Sequence, residues 1–316
     1  MKKIKISFIG AGKTTTEYLR VIKKFKSCEV VGIVGKRILN AKKLSKLFDI
    51  SFYGKNIKKM LKQTHPNIVI ICVPATEVLK ICKIVFPFNC ISFIEKPVGI
   101  NFQEYKKILF FKEKYSHQSY IALNRRYYSS TKKILKEIKN DSSKRIINVT
   151  DQQDLEKVRK LGYDKKSIKY WMFLNSIHLI DYLSIFCRGS ISKVKIFKKK
   201  IGKSRYIDCR IEFSSGDIGI YQAYWNRPGF WSLSLSLDNH IWNASPLEKL
   251  SCKDSSGNIK NFRLSKFDSK YKPGFYLQIK DLINVYKAKK NSLVSINSVN
   301  QTMKLINDIY IKDEKI

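Results

Sequence analysis

The sequence predicts a two-domain protein, with a doubly wound parallel α/β domain followed by an α+β domain on a largely antiparallel open sheet. Up to residue 123, short β-branched apolar runs alternate with Lys-rich segments of helical length, which is typical of βαβ units. From about residue 145 the pattern changes, because one long helical segment is followed by closely spaced strands. We therefore predict domains at residues 1–123 and 124–316.

The elements predicted for the first domain alternate in type. The strand candidates are short, apolar and β-branched, whereas the helix candidates are amphipathic. The predicted strands are Ile4–Ile9, Glu29–Val34, Ile68–Val73, Cys90–Ile94 and Tyr120–Leu123, and the predicted helices cover 14–25, 39–48, 55–63, 76–85 and 102–116.

The second domain is predicted to contain one helix, a run of strands and two closing helices. Turn signals at Ser214–Gly216 and Ser255–Asn258 separate some of these strands. The predicted strands are Arg145–Thr150, 191–199, 206–213, 217–225, 230–237 and 247–253, and the predicted helices cover 168–186, 274–289 and 298–311.

The composition is that of a folded protein. Among 316 residues, 44% are hydrophobic and 12% are aromatic, which is enough to bury a core and excludes disorder as the main state. The longest apolar run, Ile68–Pro74, is too short to span a bilayer. The apolar stretch after the basic start is also too short for a signal peptide, so we expect a cytoplasmic location and no membrane partner.

The seven cysteines are scattered and form no CxxC pair. This spacing indicates neither a disulfide framework nor a zinc site, and it favours reduced thiols. The histidines at 65, 117 and 240 also lack ligand spacing, so we predict no metal site.

The formal net charge of +37 raises the question of a nucleic-acid partner. Only eleven of the 62 basic residues are arginines, and the lysines are spread along the whole chain. Such a distribution is typical of solvated surfaces and not of a groove. We expect no nucleic-acid partner but a general attraction for anionic small molecules.

A glycine turn follows the first predicted strand. Gly10 permits a tight turn, and Gly12 allows a pyrophosphate to approach the backbone at Lys13, Thr14 and Thr15, where helix amides and the helix dipole hold it. The third glycine of the dinucleotide fingerprint is replaced by Thr15, so an ordinary strand-to-helix turn remains an alternative. A nucleoside-triphosphate loop is excluded, because Ser7 stands where that motif requires its first glycine.

The end of the second strand selects the cofactor in a dinucleotide fold, where an acid binds the ribose 2′-hydroxyl. Here Gly35 is followed by Lys36 and Arg37, and no acid is present. This favours NADP(H) over NAD(H), with ordinary surface charge as the alternative.

Two further strands end in polar or proline-containing motifs. One ends in Val73-Pro74 and the other in Glu95-Lys96-Pro97. Ligands gather at the carboxyl ends of parallel strands, so Val73, Pro74, Glu95 and Lys96 are predicted to lie where a nicotinamide would bind.

The order of motifs along the whole chain resembles the Gfo/Idh/MocA family of sugar and polyol oxidoreductases. Beyond the glycine turn, Val73-Pro74 and Glu95-Lys96-Pro97, the chain carries Asn124-Arg125-Arg126-Tyr127 and the HxxD pair His178 and Asp181. The resemblance implies an NAD(P)-binding first domain, a sugar on the open sheet of the second domain, and homo-oligomers formed through that sheet.

Residue roles follow from the same resemblance. It implies that Lys96 touches both the nicotinamide and the reacting group, and that His178 is the acid/base. It also places Arg126 at the cofactor and Asn124, Arg125 and Tyr127 at the substrate. An imidazole that titrates near neutral pH suits the removal of a hydroxyl proton, and an ammonium stabilises the developing oxyanion.

On a helix, His178 and Asp181 share a face with Asn175, so all three are substrate-site candidates. A core histidine satisfied by a carboxylate is the alternative for His178. Asp151 and Gln152 follow a strand and are also candidates for contact with sugar hydroxyls, with a polar loop as the alternative.

The departures from the family pattern qualify the prediction. Leu174 stands four residues before His178, where the family usually has an aspartate, and Tyr18 and Val78 replace histidines that are common in the family. An aromatic-rich segment at 221–231 is interpreted as interface or core in preference to a sugar-stacking surface.

The sequence thus predicts a cytoplasmic NAD(P)-dependent dehydrogenase or reductase acting on a hydroxyl or carbonyl of a sugar, nucleotide sugar or polyol. The nucleotide sugars of cell-surface polysaccharides are one candidate substrate class. The alternative is a redox-silent relative that binds such a sugar as a sensor or scaffold.

Overall fold

The computed structural model describes residues 3–311, which fold into two compact units. The first unit contains the chain up to Asn124 together with Lys270–Asn300, and the second contains Arg125–Ser269 and the chain from Gln301 onward. The segment 270–300, which the sequence analysis gave to the second domain, therefore contributes to the first unit. The predicted outer limits at residues 1 and 316 lie outside the described residues.

The first unit is built on a seven-stranded sheet with the order β15-β6-β5-β4-β1-β2-β3. All its pairings are parallel except that of β15 with β6. Its strands are β1 (Ile4–Ile9), β2 (Cys28–Val34), β3 (Phe52–Gly54), β4 (Ile68–Ile71), β5 (Ile91–Glu95), β6 (Ser119–Ala122) and β15 (Val294–Ser295). This arrangement confirms the predicted doubly wound domain.

The helices of the first unit follow the predicted alternation. Asparagine side chains begin two of them, since Asn56 accepts a hydrogen bond from the Lys59 amide and Asn101 accepts one from the Glu104 amide. The helices are α1 (Lys13–Ile22), α2 (Ile38–Phe48), α3 (Ile57–Thr64), α4 (Val78–Val85), α5 (Phe102–Lys114) and α11 (Phe275–Tyr286).

Helix α11 belongs to the first unit because its apolar face is buried in that unit's core. The Phe275 ring stacks on the Tyr18 ring of α1 with the centroids 4.3 Å apart. Ile279 and Leu282 are also fully buried in this core. These contacts join chain segments that are far apart in the sequence.

The second unit is built on an eight-stranded sheet with the order β14-β13-β12-β11-β7-β10-β9-β8. Only β7 and β10 pair in parallel, which confirms the largely antiparallel sheet. Its strands are β7 (Ile146–Gln153), β8 (Ile191–Ile201), β9 (Ser204–Phe213), β10 (Ile218–Trp225), β11 (Ser232–Ser236), β12 (His240–Ala244), β13 (Leu250–Asp254) and β14 (Ile259–Phe262).

The remaining helices are α6 (Ser129–Glu137), α7 (Leu155–Lys160), α8 (Lys165–Lys169), α9 (Ile177–Phe186), α10 (Lys266–Lys270) and α12 (Asn300–Tyr310). The single helix predicted over 168–186 is wrong, because a π-helical turn, Met172–Ser176, separates α8 from α9. Within residues 3–311, every helix is too short or too polar to cross a bilayer.

Candidate active site

The glycine turn after β1 requires glycine at its first position. Gly10 has φ +110°, and a Cβ there would lie 1.9 Å from the Cys72 carbonyl oxygen. Gly12 precedes α1, and nothing lies within 4 Å of the place where its Cβ would be. The turn therefore leaves open space beside the first amides of α1, which suits a pyrophosphate.

Thr15 replaces the third glycine without blocking this turn. Its side chain is fully buried, and its hydroxyl donates a 2.9 Å hydrogen bond to the Gly10 carbonyl. Lys13 is exposed and Thr14 is half-buried at the start of the same helix. The fingerprint is thus closed by a hydroxyl that supports the turn.

The residues that follow β2 meet this turn. A Cβ at Gly35 would lie 3.0 Å from the Ala11 Cβ, so glycine permits the two turns to approach closely. Lys36 and Arg37 come next and are both exposed. No acid stands at this position to bind a ribose 2′-hydroxyl.

The ends of β1, β4 and β5 lie side by side. Ile9 pairs with Ile71, and Ile71 pairs with Ile94, which brings the glycine turn, Val73-Pro74 and Glu95-Lys96 to one edge of the sheet. The structure therefore places the predicted cofactor residues of the first unit together at the carboxyl ends of parallel strands.

Glu95 has a buried partner at this edge. The Tyr18 hydroxyl donates a 2.7 Å hydrogen bond to a Glu95 carboxylate oxygen. Burial, together with the Glu95 charge, raises the pKa of Tyr18 well above its usual value, so Tyr18 stays a neutral donor. Lys96 is half-buried and precedes Pro97 through a cis peptide bond.

Asn124 ends the first long segment of this unit and is only 6% exposed. Its side-chain amide donates a 3.1 Å hydrogen bond to the Pro273 carbonyl. The amide therefore ties the two segments of the first unit together.

In the second unit, Arg126 and Asp181 bind each other. The guanidinium donates through Nε and Nη2 to the two oxygens of Asp181, each at 2.6 Å. Thr302 donates a further bond of 3.1 Å to the same carboxylate, which is buried. Burial lowers the pKa of Arg126, but the Asp181 charge more than offsets this and leaves it raised. The predicted cofactor residue Arg126 and substrate residue Asp181 thus form an ion pair.

His178 lies in the first turn of α9 and is 2% exposed. The centroid of its ring lies 6.5 Å from that of Trp231. The Arg125 guanidinium lies 4.5 Å from the Trp231 centroid and 5.9 Å from the Tyr128 centroid. Arg125 and His178 therefore form a cluster with Trp231, whose indole contacts the Arg125 guanidinium and lies near the His178 imidazole.

Trp231 was interpreted as core or interface from the sequence. Its indole nitrogen donates a 2.8 Å bond to the Gln152 carbonyl, and the Gln152 amide donates a 2.8 Å bond to the Arg227 carbonyl. These bonds fix the turn after β10 to the end of β7 and hold the indole near His178. Tyr127, by contrast, is a buried residue that carries the Lys132 ammonium over its ring at 4.5 Å.

Asp151 and Gln152 point to opposite faces of the sheet. Asp151 is fully buried, and its carboxylate accepts bonds from the Tyr221 hydroxyl and the Gln153 amide. Gln153 also accepts a 2.9 Å bond from Asn175. Sequence reasoning missed Gln153, although its alternation with Asp151 along β7 was a usable signal.

The parallel sheet and the glycine turn are those of a dinucleotide-binding domain. Residues 4–122 match the family described as "Oxidoreductase family, NAD-binding Rossmann fold". This match to the Gfo/Idh/MocA family model agrees with the predicted resemblance over residues 4–122. No curated protein matches the sequence.

Solved structures with the same fold cover almost the whole chain. A dehydrogenase from Chromobacterium violaceum aligns with a TM-score of 0.84 at 15% identity, covering 98% of this chain and 94% of that one. The UDP-N-acetylglucosamine 3-dehydrogenase GnnA from Acidithiobacillus ferrooxidans aligns with a TM-score of 0.79 at 11% identity, covering 98% of each chain.

The WlbA dehydrogenase from Bordetella pertussis, solved with NADH and UDP-GlcNAcA, aligns with a TM-score of 0.77 at 12% identity, covering 98% of this chain and 96% of that one. At these identities the likeness establishes the fold.

Proposed function

We propose that this protein is an NAD(P)-dependent dehydrogenase or reductase that acts on a hydroxyl or carbonyl of a sugar, nucleotide sugar or polyol. The observation that carries the proposal is the Gly10–Gly12 turn, whose open space faces the start of α1 in a domain of an NAD-binding oxidoreductase family. The nicotinamide supplies or accepts the hydride when it is bound.

The chain's own residues handle the proton and the charge. In the oxidation direction, His178 accepts the proton of the substrate hydroxyl as the hydride leaves the same carbon, and the product is a carbonyl. Lys96 stabilises the negative charge that develops on that oxygen. In the reduction direction, His178 returns the proton to the oxygen.

We propose a nucleotide sugar as the substrate class. Arg125 supplies a cation that contacts the rings of Tyr128 and Trp231, and Trp231 also lies near His178; this cation suits an anionic substrate. The net charge of +37 favours the same class. Two proteins of the same fold support this choice, since one is a UDP-N-acetylglucosamine 3-dehydrogenase and the other was solved with UDP-GlcNAcA.

We propose that NADP(H) binds more tightly than NAD(H). Lys36 and Arg37 are exposed at the end of β2 and can pair with a 2′-phosphate. Titration of the purified protein with the two reduced cofactors, followed by nicotinamide fluorescence, tests the preference. Equal affinities would overturn it.

We further propose a cytoplasmic homo-oligomer that forms through the open face of the second sheet. Along β10 every second residue is half-buried, and Ile218, Ile220 and Tyr224 lie on this face. Phe197 of β8 is 57% exposed. Light scattering after gel filtration measures the oligomer, and a Tyr224→Lys variant is expected to dissociate it.

A redox-silent sugar-binding protein is the second candidate. It is favoured by Leu174, a buried apolar residue in the turn that leads to His178. Nicotinamide absorbance with UDP-N-acetylglucosamine, its uronic acid and related UDP-sugars separates the two. Turnover supports the enzyme, whereas cofactor and sugar binding without turnover supports the binding protein.

A further inference from the structure

The buried face of β7 ends in two polar residues. Ile147, Val149, Asp151 and Gln153 alternate along this face, and each is at most 2% exposed. A buried polar group is stable only when it is hydrogen-bonded, so the bonds of Asp151 and Gln153 determine how this end of the strand is organised.

Asp151 fixes the orientation of Gln153. One Asp151 oxygen accepts a 2.6 Å bond from the Tyr221 hydroxyl, and the other accepts a bond from the Gln153 side-chain amide. Burial raises the pKa of Asp151, while the Ser176, Tyr221 and Gln153 side chains and the nearby Arg125 charge favour the carboxylate. Because a carboxylate only accepts, the Gln153 NH₂ must face it and the Gln153 oxygen must face away.

The Gln153 oxygen then holds the segment before His178. It accepts a 2.7 Å bond from the Trp171 indole nitrogen and a 2.9 Å bond from the Asn175 side-chain amide. Trp171 immediately precedes the π-helical turn Met172–Ser176, and Asn175 lies within it. One oxygen therefore fixes both ends of an irregular turn that leads directly into α9.

We propose that Asp151, acting through Gln153, is a positioning residue that fixes the π-helical turn before His178 and the direction of the Asn175 amide. The proposal rests on the proposed function, since it concerns the same site. With its NH₂ engaged by Gln153, Asn175 presents its oxygen to a ligand. The position thus selects a substrate that offers a hydroxyl or amide N–H there.

Two substitutions at position 151 test this directional chain. In Asp151→Leu no acceptor faces the Gln153 NH₂, so the orientation of Gln153 is no longer fixed. In Asp151→Asn the new oxygen still accepts from Gln153 while the new NH₂ donates to the Tyr221 hydroxyl, which also bonds to the Tyr310 hydroxyl at 2.6 Å. Asp151→Leu is expected to break the chain, and Asp151→Asn to keep it.

The first readout needs neither substrate nor cofactor. The sequence has four tryptophans, so the indole N–H signals of ¹⁵N-labelled protein are few, and Trp171→Phe assigns one of them. We expect the Trp171 signal to shift in Asp151→Leu and to stay in place in Asp151→Asn, with the Trp242 signal unchanged in both. A Trp171 signal that stays in place in Asp151→Leu overturns the proposal.

The second readout is turnover of a UDP-sugar by the active protein. Asp151→Leu is expected to lower kcat by about 10²-fold, the scale of a misplaced catalytic group, with a much smaller change in cofactor affinity. Asp151→Asn is expected to retain most of the activity. Unchanged kcat in a variant whose Trp171 signal has shifted also overturns the proposal.

Asp217 supplies the matched control. It is a fully buried aspartate just before β10, and its carboxylate binds Arg188 at 2.7 Å. Asp217→Leu is expected to lower stability and to leave the Trp171 signal unchanged. If Asp151→Leu does not fold, Gln153→Met is expected to shift the Trp171 signal and lower kcat in the same way. Cofactor and UDP-sugar binding without turnover in the unmodified protein would support the binding protein over the enzyme, while the Trp171 signal still tests the chain.

Discussion

The Arg126–Asp181 ion pair predicts a strong coupling between two residues that the sequence assigned to different ligands. Arg126 is 20% exposed and Asp181 is 2% exposed, and two bonds of 2.6 Å join them. Removing one partner of a buried pair costs about 3–5 kcal/mol, because the other charge stays buried and unpaired. Since part of Arg126 reaches water, we expect about 3 kcal/mol for Asp181→Leu and a similar loss for Arg126→Met.

A double-mutant cycle measures this coupling. The variant with both substitutions leaves no unpaired charge, so it is expected to be no less stable than either single variant, which gives a coupling energy of at least about 3 kcal/mol. Urea unfolding followed by circular dichroism at neutral pH provides the free energies. The exposed pair Lys133 and Glu137 serves as a control that should show little coupling.

Absence of coupling between Arg126 and Asp181 would favour the separate cofactor and substrate roles that the sequence predicts for them. Additive losses, together with a fall in cofactor affinity only for Arg126→Met, would mean that Arg126 serves the cofactor and that its bond to Asp181 is incidental.

Three further predictions concern pH, cofactor choice and catalysis. Burial lowers the pKa of His117 to about 4, below its unfolded value, so its contribution to stability is complete above about pH 6.5 and falls by about 3 kcal/mol as the pH drops toward 4. Between pH 7.5 and pH 4.5, the free energy of unfolding in urea should therefore fall less in His117→Gln than in the unmodified protein. In the control His65→Asn, at an exposed position, it should fall as much as in the unmodified protein. Arg37→Ala should narrow the affinity gap between NADP(H) and NAD(H) by roughly tenfold to a hundredfold in cofactor titrations, and an unchanged gap would remove Arg37 from the site. Lys96→Ala and His178→Ala should each lower turnover by roughly two to four orders of magnitude, and full activity in either variant would contradict its assigned role.

The parts of the fold that sequence reasoning recovered are those set by local chemistry. The glycine turn and the Glu-Lys-Pro motif each follow an apolar strand, so a few adjacent residues reveal their place at the carboxyl edge of the sheet. Strand β3 was missed because its three residues, Phe52–Gly54, are fewer than the four or so that a strand pattern needs. The membership of α11 in the first unit was missed because it depends on the stacking of Phe275 on Tyr18, which no local pattern encodes.

The candidate site was recovered less completely for a similar reason. His178, Arg125 and Asn175 were predicted because they lie in motifs, but the indole beside His178 comes from a turn that follows β10. The sequence pattern of residues 221–231 shows aromatic character and alternation, and both fit a core as well as a site. The distinction requires the bond from Trp231 to the Gln152 carbonyl, which depends on how β7 and the turn meet.

Leu174 replaces the aspartate that the family usually has four residues before the histidine. This replacement weakens the enzyme assignment only if the carboxylate that supports His178 must come from the segment that carries it. Asp151 lies on a neighbouring strand, and its influence reaches Asn175 through a single amide, Gln153. A sequence motif cannot reveal that Asp151 replaces the missing aspartate, because the packing of α9 on β7 brings Asp151 and Asn175 together. In the hydrogen-bond chain proposed above, Asp151 and not position 174 sets the direction in which the Asn175 oxygen points. Comparing the turnover of Asp151→Leu with that of Asp151→Asn therefore tests whether this chain supports catalysis without a carboxylate at position 174.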